Sequence, residues 1–134
     1  MMKLFTTDFE TPLDKMDSLH IFRMRLHLLI IMVKAKLKGY PVGEFRKEAV
    51  LENAARLHQD LANPEIKFSG NRTSTHLFKE RVRLLSVMAT AIISDDYPLG
   101  IHRREAVLDN IEIIIETAFP KQEFPLFHEI LMAA

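Results

Sequence analysis

The residues best equipped for chemistry in this chain are cationic and lie in two short runs. One is His20-Ile21-Phe22-Arg23-Met24-Arg25-Leu26-His27 and the other is His76-Leu77-Phe78-Lys79-Glu80-Arg81-Val82-Arg83. An arginine fork holds a phosphate or carboxylate at two points, and a histidine adds charge that is lost as pH rises through about 6.5. The runs are therefore candidates for an anion site. Arg25 and Arg81 are its first members, His20 and His76 flank them, and Arg23 and Lys79 extend the charge. The competing reading is that the chain's own acids, Asp17, Asp60, Glu80 and Glu116, neutralise this end, or that each arginine satisfies backbone carbonyls nearby.

Other chemistries find less support. Six histidines invite a metal site, but bundles that hold two metals place Glu-x-x-His on two helices and single glutamates on the other two. No Glu-x-x-His occurs, and Asp17-Ser18-Leu19-His20 is the nearest approach. Cysteine is absent, which removes disulfides, thiolate ligands and a thiol nucleophile. The chain has no Gly-x-Ser-x-Gly elbow, phosphate-binding glycine loop or His-Glu-x-x-His. Helical nucleases can use an arginine and a histidine four to six residues apart. The pairs Arg23/His27 and Arg72/His76 have that spacing but stand at different places in their surroundings. The expectation is no catalytic residue, no metal and no cofactor.

The elements that carry the two cationic runs are copies of each other. Tyr40-Pro41-Val42-Gly43-Glu44-Phe45-Arg46-Lys47-Glu48-Ala49-Val50-Leu51-Glu52-Asn53 returns as Tyr97-Pro98-Leu99-Gly100-Ile101-His102-Arg103-Arg104-Glu105-Ala106-Val107-Leu108-Asp109-Asn110. Residues 20–38 correspond to 76–94, with His20, Phe22, Arg25, Leu28, Leu29, Met32 and Ala35 repeated. Over both blocks 16 of 33 positions are identical, where average residue usage would give about two. Asn53 and Asn110 are kept at a helical position beside apolar residues, so they should edge the core or bridge helices by hydrogen bonds.

Each copy reads as a helical hairpin. Apolar residues at three- and four-residue spacing predict helices over 18–38 and 44–61, then 74–94 and 101–119. Leu28 is expected on the inward stripe of the first helix with Phe22, Leu29 and Met32. Asp17 and Thr73 have the character of helix caps, and Tyr-Pro-x-Gly supplies the break, its tyrosine ring laid over the hairpin end. The predicted fold is all-α: a four-helix up-down-up-down bundle of two tandem hairpins related by an approximate two-fold axis, plus a short C-terminal helix. Residues 1–134 are read as one domain, comprising an arm 1–16, hairpins 17–62 and 74–119, a linker 63–73 and a tail 120–134. Both arginines would then point toward the axis between the hairpins.

Composition narrows the functional classes. Eighteen basic and 18 acidic side chains give zero formal charge, so no global field draws the chain to nucleic acid. The longest greasy run, residues 26–33, is far short of the ~20 residues of a membrane span, and no secretory leader is recognisable. A cytoplasmic protein without a membrane partner is expected. Apolar residues in the tail (Phe124, Leu126, Phe127, Ile130 and Leu131) are more than four helices are expected to cover, which makes the tail a candidate interaction surface. The resulting expectation is a small non-enzymatic adaptor or regulator that binds a protein, with homodimerisation included. The alternative is an anion- or phosphate-binding protein, or an Arg/His helical nuclease, using the basic end.

Overall fold

A computed structural model of the chain describes residues 18–68, 70–94 and 99–134. Five helices account for most of them: α1 (Ser18–Leu37), α2 (Glu44–Asp60), α3 (Arg72–Ser94), α4 (Ile101–Ala118) and α5 (Pro125–Ala133). No strand occurs among the described residues. The first four are long and pack as an up-down-up-down bundle, and α5 closes it. No described helix is long and apolar enough to cross a membrane. The arm, the cap expected at Asp17 and the Tyr97-Pro98 turn lie outside the described residues.

The core is built from matching positions of the two hairpins. Leu26, Leu29 and Val33 of α1 are fully buried, as are their counterparts Val82, Leu85 and Ala89 of α3. Val50, Ala54 and Leu57 of α2 answer to Val107, Ile111 and Ile114 of α4, all buried. Phe22 and its repeat partner Phe78 meet edge to face with centroids 6.1 Å apart. This contact places the starts of α1 and α3 at the same end of the bundle. Leu28 departs from expectation. It is 54% exposed, and its counterpart Leu84 is 53% exposed. The reason is angular: the stripe runs through 22, 26, 29, 30 and 33, and a residue 100° around from Leu29 faces away from it.

Local chemistry sets the helix ends. Gly39 takes φ +95° after α1, and Tyr40 N–H reaches back to the Ala35 carbonyl at 3.1 Å. This left-handed cap closes a helix end that a side chain with Cβ would resist. Tyr40 itself is exposed, so its ring does not cover the hairpin end. The cap of α3 is Asn71 rather than Thr73: its Oδ1 accepts Ser74 N–H at 2.8 Å. Asparagine is the better cap, and Gly70 at φ +106° turns the chain into it.

The tail packs against α1 and α4. α2 lies closely along α3, whereas α1 and α4 touch less and α5 fits against both. Leu131 is fully buried there, and Phe124 and Phe127 nearly so. Lys34 Nζ donates to the carbonyls of Leu131 at 2.7 Å and Met132 at 3.2 Å. A cation at a helix C-terminus satisfies orphan carbonyls and complements the helix dipole.

Candidate interaction site

In each hairpin one asparagine ties the two helices together. Asn53 Nδ2 donates to the Arg25 carbonyl at 3.0 Å, and Asn110 Nδ2 donates to the Arg81 carbonyl at 3.0 Å. The same bond thus recurs on corresponding residues, and the kept asparagines are the bridges their position implied. A carbonyl inside a helix has a second lone pair, so it can accept this bond without leaving its ladder.

The arginine side chains diverge. Arg25 Nη1 donates to both carboxylate oxygens of Asp60, at 2.8 and 2.7 Å. The pair is largely withdrawn from water, with side chains 22% and 13% exposed. Arg81 Nη1 instead donates to Asn110 Oδ1 at 3.2 Å. Each arginine is thus engaged with the second helix of its own hairpin. The expected convergence of Arg25 and Arg81 toward the axis between the hairpins is not seen, because each is held by hydrogen bonds to the second helix of its own hairpin. Neutralisation by the chain's own acids accounts for Arg25 through Asp60 and for Arg83, which pairs with Glu80 one turn away. That pairing holds the Glu80 carboxyl below its ordinary range, first through the hydrogen bond from Arg83.

The other cationic candidates scatter. The Arg23 guanidinium sits 4.9 Å from the Phe124 ring centroid and Lys79 Nζ 5.4 Å from that of Phe68. Both are thereby engaged by faces of aromatic rings. His20 is half-buried and His76 exposed. A cleft of about 330 Å³ does open at this end, between Phe22 and Phe78, with Arg23, Lys67, Ser74 and Thr75 on its wall. His27 packs edge-on against Phe127 and Phe119, at 5.3 and 6.2 Å, and burial lowers its pKa. The Arg23/His27 pair is therefore part of the packing under α5. Among the described residues no three histidines, aspartates or glutamates gather as a metal set.

Of the five tail residues proposed as a surface, Phe124, Phe127 and Leu131 are buried, Leu126 is half-buried, and only Ile130 is exposed. For the three buried residues the expectation is corrected: they fill the gap between α1 and α4. Exposed apolar side chains occur on both hairpins, Leu28, Tyr40 and Phe45 on the first and Ile101 on the second among them, and several gather on the outer face of the second hairpin. Leu77, Leu84 and Val87 of α3 are each more than half exposed, and Ile113 of α4 is 40% exposed. The three α3 residues border an open cleft of about 390 Å³ lined by Leu77, Glu80, Arg81, Arg83, Leu84, Val87 and Asn110. Leu84 stands beside the core stripe like its counterpart Leu28, so apolar spacing alone does not set it apart from the core. The signal that could have found this face is the loss, in the second copy, of the acid that holds the first copy's arginine.

The fold and this face define an all-α bundle of two tandem hairpins with an apolar, arginine-centred groove on one of them. Comparison with protein-family models, curated proteins and solved structures returns no match.

Proposed function

We propose that the protein is a small non-enzymatic adaptor or regulator that binds another protein on the outer face of the second hairpin. The observation that carries this reading is the run of Leu77, Leu84 and Val87 along one side of α3, each more than half exposed around Arg81. Scattered exposed apolar residues are ordinary on a protein surface, whereas a contiguous set rimmed by charge marks a place of contact. A photo-crosslinking amino acid at position 84 tests it, with the same residue at exposed His58 as control. Discrete adducts from position 84 that disappear with Leu77→Asp support the reading. Equal, sparse labelling at both positions refutes it. Should the adduct be a dimer of the chain itself, the protein is a homodimer and this face its interface.

A second reading has its own observation. The 330 Å³ cleft at the start of α1 and α3 carries Arg23, Lys67 and the hydroxyls of Ser74 and Thr75 against one carboxylate, Glu123, and the two cations suit a phosphate-bearing ligand. Calorimetry with inorganic phosphate, repeated on Lys67→Gln, decides it.

A further inference from the structure

The two hairpins hold the same arginine in the same frame, and one of them shows what that arginine binds. The equal 3.0 Å bonds from Asn53 and Asn110 to the carbonyls of Arg25 and Arg81 put the helix pairs in matching register. Two helical turns beyond Asn53 stands Asp60, and two turns beyond Asn110 stands Thr117. Asp60 takes the Arg25 guanidinium with both oxygens. Thr117 turns its hydroxyl onto its own helix, bonding the Ile113 carbonyl at 2.8 Å. Arg81 is left with one bond, to Asn110 Oδ1, out of five N–H groups, and meets no carboxylate among the described residues.

The surroundings say what kind of group would complete it. Glu80 borders the same cleft, but Arg83 engages its carboxylate, so the lining of Arg81, Arg83 and Glu80 keeps one net positive charge. Apart from Asn110 the rest of the wall is apolar. Through Leu84 and Asn110 the cleft continues into a second one floored by Leu85, Met88, Ala106 and Val107, with Arg103 at its edge. From Leu77 to Met88 this groove follows α3 for roughly 16 Å, about three helical turns. A free anion would satisfy Arg81 and leave the leucines in water. A wholly apolar ligand would strip water from a guanidinium that has one neutral partner, which is costly.

We infer that this groove is a receptor for an acidic amphipathic segment of a partner protein, whose aspartate or glutamate takes on Arg81 the place that Asp60 holds on Arg25. The inference rests on the adaptor reading and names the chemistry of its partner. Apolar residues of the segment cover Leu77, Leu84 and Val87, and its carboxylate supplies the missing half of a two-point ion pair.

The test uses the full chain and a displayed library of helical peptides with leucines at three-four spacing and all other positions randomised. Bound peptides should favour Asp and Glu over Asn and Gln at one position by roughly fivefold, the difference between a charge-assisted and a neutral hydrogen bond. Two variants should erase that preference: Arg81→Gln, which removes the cation, and Thr117→Asp, which rebuilds the internal carboxylate of the first hairpin. Thr117→Asp keeps the test decisive should Arg81→Gln fold poorly, and thermal unfolding with circular dichroism monitors both. Acidic preference that survives in Thr117→Asp overturns the inference. So does selection of apolar peptides without acids, or no selection at all while position 84 still crosslinks a partner, and in those cases the adaptor reading stands. Concentration-dependent dimers that dissolve in Arg81→Gln would make the occupant a second copy, which overturns the assignment to a partner.

Discussion

The two hairpins share a core and differ at their edges. Phe22 and Phe78, Leu29 and Leu85, Val50 and Val107 are interchangeable in role, all buried along one seam. Outside that seam three side chains of α1 are engaged elsewhere in the molecule: Arg25 by Asp60, Lys34 by the end of α5, and His27 by Phe119 and Phe127. The second hairpin has Arg81 without a carboxylate among the described residues, Thr90 where Lys34 stands and an exposed Arg83 in place of His27. Packing constrains both copies alike, since a buried methylene lost from either leaves a cavity. Edge residues answer to whatever lies outside, and there the copies have been free to diverge.

The comparison breaks most visibly if the cores are not equivalent. Leu29→Ala and Leu85→Ala should each cost about 3 kcal/mol in chemical denaturation. A cost at one site under half that at the other would mean the hairpins do not share one core. The edges should behave oppositely. Asp60→Ala leaves Arg25 mostly buried without its partner and should cost about 2 kcal/mol, less than a fully buried pair because water still reaches both groups. Thr117→Ala, at the corresponding position, should cost under about 0.5 kcal/mol, as an exposed surface change does.

Ser86 sharpens the contrast within the seam. It occupies the position of fully buried Ile30, and its Oγ is buried without a hydrogen-bond partner. A buried hydroxyl in that condition destabilises the fold, so Ser86→Ala should raise stability by roughly 1 kcal/mol, read as a higher melting temperature. The last contrast is in pH. Burial lowers the pKa of His27 in the folded protein, so below its free value of about 6.5 the unfolded chain takes up the proton first. Stability should therefore fall as pH drops through 6.5 and level off below the depressed folded value. His27→Leu should flatten that slope, and an unchanged slope in urea titrations at several pH values would locate the sensitivity elsewhere.

The helical hairpins were legible because their signals are local and repeated. Apolar spacing of three and four, Gly39 after the first helix and Pro120 after the fourth each act within a few residues of chain. The bridging role of Asn53 and Asn110 was legible too, since an amide kept beside buried residues must find a partner. The position of the surface groove was not. Leu28 and Leu84 differ from core leucines only by an angle around the helix, and which arc faces inward depends on where neighbouring helices lie. The tail was misjudged for a related reason: Phe124, Phe127 and Leu131 have a surface to cover only once α1 and α4 stand apart.

Sequence by itself determined the helices, their pairing into two matched hairpins and the candidate arginines, because backbone hydrogen bonding and helical periodicity are properties of neighbours in the chain. Tertiary structure alone decided which arginine meets a carboxylate and which meets an amide. Arg25 and Asp60 are 35 residues apart and meet because α1 and α2 run antiparallel in a register that the Asn53 bond holds. In the second hairpin the residue at the position of Asp60 is Thr117, whose hydroxyl bonds its own helix, and Arg81 meets Asn110. Whether a charge is paired is a matter of distances of a few ångströms between remote residues, and only packing sets those.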